Sequence, residues 1–313
     1  MRNDNKKKMI RFLIKRLLIS IPVLLIIALI SFILMYTVPG GPFDKEKKLP
    51  PEIKANVEAK YHLDKPVWTQ FAIYIYNLVL GDMGPSYKYL GRSVKDILKD
   101  TFPVSLQLGL LAFMIPLFIG IPLGIIAAVY RNTFIDKISM FTAVLGITIP
   151  HFVLGAILIL IFGHTLKLLP PALWEGWSNM LLPAITLGIG PTAYIARLTR
   201  ASILEVLHKD FVKTAFAKGL PYSKIILKHV LKNALTPIIS VMGPILAGLV
   251  AGSFVVEYIF SIPGMGRYFI TAVTDRDYPL IMATTMVYAV LIVIANIVVD
   301  VLYKVVDPRV RLE

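Results

Sequence analysis

The sequence predicts an all-α membrane protein with six transmembrane helices, and three observations carry that prediction. First, 57% of its 313 residues are hydrophobic, whereas a soluble domain is usually a little under half apolar even counting glycine. The mean hydropathy is +0.73. Second, the apolar residues gather into six stretches of about the length that crosses a bilayer, roughly 20 residues. They are continuous, so they do not read as the alternating ten-residue segments of a barrel. Third, the formal net charge of +14 sorts onto one side of those spans. The abundance of aliphatic and aromatic residues excludes disorder, and the lack of cysteine excludes disulfides, thiolate metal sites and a cysteine nucleophile.

The first stretch, 17–38, follows a basic segment, 1–16, that holds Arg2, Lys6, Lys7, Lys8, Arg11, Lys15 and Arg16. It is too long for a signal-peptide core and lacks a small-x-small cleavage pattern, so it reads as a retained helix. An external loop, 39–101, separates it from a core of five further helices over 102–306. Within the loop, 67–80 is amphipathic, with Trp68, Phe71, Tyr74 and Tyr76. It is too short to span and reads as a helix lying on the membrane surface or packed on the spans. The core helices are expected at 102–130, 138–163, 181–196, 235–260 and 280–306. The stretch 181–196 is short and interrupted by Pro183, Gly188, Gly190 and Pro191. A tail, 307–313, ends the chain.

Six spans place the N-terminus, the second-to-third loop, the fourth-to-fifth loop and the C-terminus on one side. That side carries 20 Lys and Arg against 6 acids; the other carries 13 against 11. Both termini are therefore expected in the cytoplasm. The basic excess marks orientation in a membrane and asks for no nucleic acid.

The cytoplasmic loop 197–236 is the most informative segment. Ile203, Leu204, Val206, Leu207 and Phe211 recur at helical spacing. Gly219 suits a helix C-terminus and Pro221 the first turn of the next helix. A second helix, 222–233, places Lys224, Lys228 and Lys232 four apart. The expected product is a helix–turn–helix knuckle, with Ala215, Ala217 and Gly219 small enough for a partner's close approach.

This loop resembles the EAA loop of ABC-importer permeases, which docks in a cleft of the ATPase subunit. The general pattern E-A-A-x3-G-x9-I-x-L-P is met in part: Lys213, Thr214 and Ala215 stand at E-A-A, and His229, Leu231 and Lys232 at I, L and P. The peptide-transporter variant T-A-x-A-K-G-L matches at 214–220, followed by K-H-x-L-x-N-A-L-x-P from Lys228 to Pro237. Further runs are similar to the same subfamily: Val38-Pro39-Gly40-Gly41-Pro42, Leu49-Pro50-Pro51-Glu52, Gly81-Asp82-Met83-Gly84-Pro85-Ser86 and Ile195-Ala196-Arg197-Leu198-Thr199-Arg200. So are Ile262-Pro263-Gly264-Met265-Gly266, Arg276-Asp277-Tyr278 and Asp307-Pro308-Arg309. The chain thus resembles the OppB/DppB-type permeases of peptide importers.

The resemblance implies a type I ABC-importer permease fold in a bacterial cytoplasmic membrane. It also implies a second related permease (OppC-type), two cytoplasmic ATPases (OppD/OppF-type), an extracytoplasmic peptide-binding protein (OppA-type) and a peptide substrate. Asp210, Thr214, Ala215, Ala217, Lys218, Gly219, Leu220 and Pro221 would then form the ATPase-coupling loop. ATP and Mg would be bound by the ATPases, since the chain has no G-x-x-x-x-G-K-[ST] motif. No cofactor, metal or catalytic residue is expected on this chain.

Ionisable residues inside spans are costly and mark pathways or partners. Glu257 reads either as an ion-paired or snorkelled carboxylate or as a ligand for a peptide's amino terminus. Asp300 pairs with Arg197, Arg200 or another internal base, or contacts substrate. His151 and His164 flank the third span without further metal-type residues at ligand spacing. An ion-coupled secondary transporter is the alternative class; it would be expected to bury several ionisable groups at midplane. Within the ABC class, a dipeptide or other small-solute permease is the alternative.

Overall fold

The computed structural model describes residues 2–38, 63–89, 91–250 and 253–306. Regular structure among them is helical, apart from an isolated antiparallel bridge between Pro85 and Ser93. The helices are α1 (Arg2–Thr37), α2 (Val67–Val79), α3 (Val94–Val129), α4 (Phe134–Thr148), α5 (His151–Thr165), α6 (Trp177–Leu207) and α7 (Asp210–Ala217). Then come α8, assembled from Tyr222–Lys224, a π-helical stretch Ile225–Val230 and Leu231–Val250, followed by α9 (Phe254–Ile259), α10 (Met265–Asp275) and α11 (Tyr278–Val306). Among the described residues five helices are long and apolar enough to cross a membrane, and the α4–α5 pair makes a sixth if it counts as one span.

Several boundaries differ from expectation. Residues 2–16 of the basic segment are helical and continuous with the first span, because α1 starts at Arg2. The third span is two helices bent by 108°; Pro150 has no amide proton and cannot continue α4. The fourth span is the reverse case. Despite Pro183 and Pro191, α6 runs unbroken for 31 residues and includes the first part of the expected cytoplasmic loop. Prolines are tolerated in membrane helices where neighbouring helices resatisfy the backbone. The first apolar stripe of the loop is split, with Ile203 to Leu207 ending α6 and Phe211 opening α7. The runs at 39–42, 49–52 and 307–309, and the tail 307–313, lie outside the described residues.

The chain packs as two compact units, Met1–Val104 with Pro263–Leu291, and Ser105–Ile262 with Ile292–Glu313. In the first, Val94, Ile97 and Leu98 of α3 form a core with Met265, Ala272, Leu280 and Ala283. Ala28, Phe32 and Met35 of α1 pack with Met282 and Met286 of α11. Two of the motif runs meet here across some 190 residues of sequence. The buried Asp277 carboxylate accepts the Ser86 hydroxyl, the amides of Tyr87 (3.1 Å) and Lys88 (3.3 Å), and the first-turn amide of Leu280 (3.4 Å). Burial of a carboxylate is tolerated when charge-assisted bonds replace its water.

The second unit is built around α6. Gly124 of α3 lies so close to it that a Cβ there would stand 2.5 Å from the Ala196 carbonyl oxygen. On α6, a Cβ at Gly188 would meet the Ala112 carbonyl oxygen of α3 at 2.8 Å. Such contacts let backbones gain dispersion that lipid, being equally apolar, does not offer. The buried hydroxyls of Thr186 and Thr192 donate to carbonyls one turn back, at 2.8 and 2.7 Å. The centre of the unit is thereby free of their polar cost.

Candidate coupling site

α6 ends at Leu207, and after His208 and Lys209 the chain turns into α7. Asp210 occupies the first helical position, where a carboxylate complements the positive end of the helix. Its Oδ1 accepts from Lys213 Nζ at 2.8 Å, and that ammonium holds the exposed carboxyl below the ordinary aspartate range. Thr214 donates its hydroxyl back to the Asp210 carbonyl at 3.0 Å.

Spacing decides which side of α7 faces in. Val212 and Ala215, three apart, are buried in a cluster with Ala128 of α3, Ile203 and Val206 of α6, and Ile225, Ile226, Val230 and Ala234 of α8. Phe211, Phe216, Ala217 and Lys218 face out. Ala215 therefore serves the core beneath the loop rather than a partner's approach. Beyond α7, the Lys218 amide donates to Thr214 at 3.1 Å and the Gly219 amide to Phe216 at 2.9 Å. Gly219 has φ +69°, and nothing stands within 4 Å of where its Cβ would be. Glycine is required there for the backbone conformation and not for lack of room. Leu220 is half-buried against the cluster, and Pro221 precedes α8 as its cap rather than lying in its first turn.

The outer surface is mixed. The rings of Phe216 and Tyr222 approach to 6.1 Å, both about 45% exposed, beside Lys213 and Lys218. Exposed aromatics rimmed by charge are the composition of an interaction surface. Lys224, Lys228 and Lys232 are all exposed along α8. This aromatic pair was not singled out in the sequence, where its two members straddle a turn.

The intramembrane candidates separate. Arg200 forks onto Asp136, Nε to Oδ1 at 2.6 Å and Nη2 to Oδ2 at 2.7 Å, and Asp136 also accepts the Asn132 amide at 2.9 Å. Asp136, counted in the sequence only as a loop acid, is thus the partner of Arg200. It clamps the α3–α4 turn to α6 about two turns before that helix ends at Leu207. Arg197 is exposed, and Asp300 lies in α11. Glu257 of α9 is fully buried and accepts the Ser105 hydroxyl at 2.8 Å. His151 opens α5 and His164 lies near its end.

Residues 120–312 match the model of the binding-protein-dependent transport system inner membrane component, and residues 9–109 match that of the corresponding N-terminal region. The chain belongs to this family. As an inner membrane component with several apolar spans, it is a multi-pass protein of the plasma membrane. It is 46% identical over 304 residues to the dipeptide transport system permease protein DppB of Bacillus subtilis, covering 97% of this chain and 99% of that one. It is 45% identical over 305 residues to the oligopeptide transport system permease protein OppB of Escherichia coli, covering 97% and 100%. The fold is that of a MetNI methionine ABC transporter chain in an inward facing form, with a TM-score of 0.58 at 16% identity over 67% of this chain and 96% of that one. An amino acid ABC transporter gives 0.54 at 16% identity, over 67% and 94%. The all-α expectation and the type I permease architecture hold, and the relatives of this family member are transport permease proteins.

Proposed function

We propose that the chain is the membrane-spanning permease subunit of an ATP-driven peptide importer. It forms half of the translocation pathway and takes its power stroke through α7. One observation carries the coupling part: α7 is fixed by a buried cluster to α3, α6 and α8 together while its outer face stays open. Force applied to Phe216, Lys218 and the Gly219 turn reaches three helices of one unit without an intervening flexible joint. The near full-length similarity to named dipeptide and oligopeptide permeases supports the substrate class.

In this reading both termini and α7 are cytoplasmic. A second, related permease completes the pathway, two ATPases hold ATP and Mg, and an extracytoplasmic binding protein delivers the peptide. Closure of the ATPases on ATP draws the two coupling loops together and turns the spans outward; release after hydrolysis returns them. No bond in the peptide is made or broken.

Proteoliposomes holding the purified complex test this. Uptake of labelled tripeptide should require internal ATP and survive an ionophore. Uptake that ignores ATP and collapses with the ionophore would establish ion coupling instead. A cysteine at Lys218 should crosslink to the ATPase; its labelling by an impermeant reagent from outside intact cells would reverse the topology.

A further inference from the structure

The sharp bend between α4 and α5 has no role in the coupling surface, and beside it lies a groove of about 420 Å³. Gly146, Ile147, His151, Gly190, Tyr194 and Ile245 contribute to its lining. We propose that this groove is a peptide-contacting subsite of the translocation pathway, with His151 and Tyr194 as its polar contacts. The assignment rests on the peptide-importer reading above.

The backbone makes the first argument. A helix that ends leaves its last carbonyls without helical partners. At membrane depth such backbone is tolerated only where protein buries it or where it lines a water-filled cavity. The bend divides a span of otherwise apolar helix, and Ile147 and Phe152 on either side of it are exposed within the chain. A water-filled groove beside it would supply the second of the two environments.

Side chains make the second argument. His151 and Tyr194 are both exposed to the groove side rather than packed away, and Tyr194 is 47% accessible. His151 Nε2 stands 3.5 Å from where a Cβ of Gly190 would be, so the absent side chain leaves the ring's edge open. An imidazole and a phenol each donate and accept. They suit the repeating N–H and C=O groups of a peptide backbone. Ile147 and Ile245 offer apolar contact for its side chains. None of the lining residues carries a fixed charge. That composition fits a substrate class read through its backbone, and its size lies within the roughly 300–1,000 Å³ of small-ligand pockets.

The chain has no cysteine, so in a complex with cysteine-free partners Ile147→Cys introduces a single thiol. In proteoliposomes a charged, water-soluble methanethiosulfonate should label it, and trialanine with binding protein and ATP should slow that labelling. The concentration of peptide that half-protects the thiol should rise about two- to tenfold in His151→Ala, for trialanine and trityrosine alike, the worth of one hydrogen bond. His151→Gln should restore most of the original protection. Reaction only with a lipid-soluble maleimide would place the groove against lipid. Crosslinking to the second permease without water access would make it a subunit interface. Loss of folded complex on size exclusion in both His151→Ala and His151→Gln would make the histidine structural. Each of these overturns the subsite. A wild type that imports peptide but leaves the thiol unprotected defeats the subsite alone, whereas a wild type that imports no peptide defeats the importer reading with it.

Discussion

Helices α1 and α6 teach opposite lessons about what an apolar sequence means. The most apolar window of α1 is only 11% buried within the chain, and Leu18, Ile26 and Ile30 are each more than half exposed. In α6 the corresponding figure is 56%, although it is the least apolar of the five spans and holds two prolines and two glycines. Hydropathy reports transfer into lipid, and α1 is the helix that this chain leaves more open. Helix–helix contact in a membrane comes instead from small residues that admit a neighbouring backbone. The helix that organises the second unit was therefore the weakest span in the sequence.

The strongest way to break this contrast is Gly124→Leu. Its side chain would have to occupy the space of the Ala196 carbonyl and Thr199, with backbone on one side and nothing able to swing away. Little folded permease should survive detergent extraction, measured by fluorescence-detected size exclusion. Normal recovery would show that the α3–α6 contact tolerates separation. Gly219→Val comes next. The chain should insert normally, but ATP-driven uptake should fall below about a tenth, because a β-branched residue does not take φ +69° without strain. Gly219→Asn, which tolerates the left-handed region, should retain most uptake. Equal loss in both would mean the position needs glycine's size against a partner.

Legibility followed the same division. Spans seen by lipid, the amphipathic α2 and the turn at Gly219 were readable, because each rests on local composition or a local φ requirement. The bend at Pro150 was hidden inside a continuous apolar run, since period and hydropathy do not distinguish a straight helix from two. Ala215 was assigned to a partner because a small residue in a docking motif reads that way; only the three-residue spacing with Val212, set against α8, turns it inward. The Arg200–Asp136 pair joins positions 64 apart, and no local pattern links them. The pairing of Asp277 with Ser86 and its neighbours explains why two distant runs of the family resemblance occur together.

The clamp at Arg200 sharpens the comparison at intermediate size. Asp136 is nearly fully buried and Arg200 about a quarter exposed, so Arg200→Ala leaves a carboxylate with its main counter-charge removed. A loss of roughly 3 kcal/mol is expected, visible as a lower thermal midpoint of the purified complex. Arg200→Lys should recover part of it, because an ammonium keeps the charge but not the two-pronged geometry. If the clamp also holds the α3–α4 turn rigid ahead of α7, ATPase activity in Arg200→Ala should become less dependent on peptide-loaded binding protein. Unchanged stimulation would confine the pair to stability.

The smallest effects belong to residues that are conspicuous in the sequence but lightly engaged in the fold. Ile26→Ala on α1 replaces a lipid contact with a shorter one, and no cavity forms because lipid fills the space; thermal midpoint and uptake should stay at wild-type values. Asp210→Asn should likewise leave the midpoint unchanged, since the carboxylate and Lys213 are both well exposed to solvent that screens them. The pH dependence has a definite sign. Lys213 depresses the Asp210 carboxyl, so whatever the pair contributes is present above the ordinary aspartate range and disappears only as pH falls through the lowered value. Uptake across neutral pH should not change through this group. Val212→Ala, on the opposite face of the same helix, removes two methyls from the fully buried cluster and should cost about 1–2 kcal/mol. If Asp210→Asn proved the more damaging of the two, α7 would be held in place by its surface charges, and the buried cluster would not be what ties the coupling helix to α3, α6 and α8.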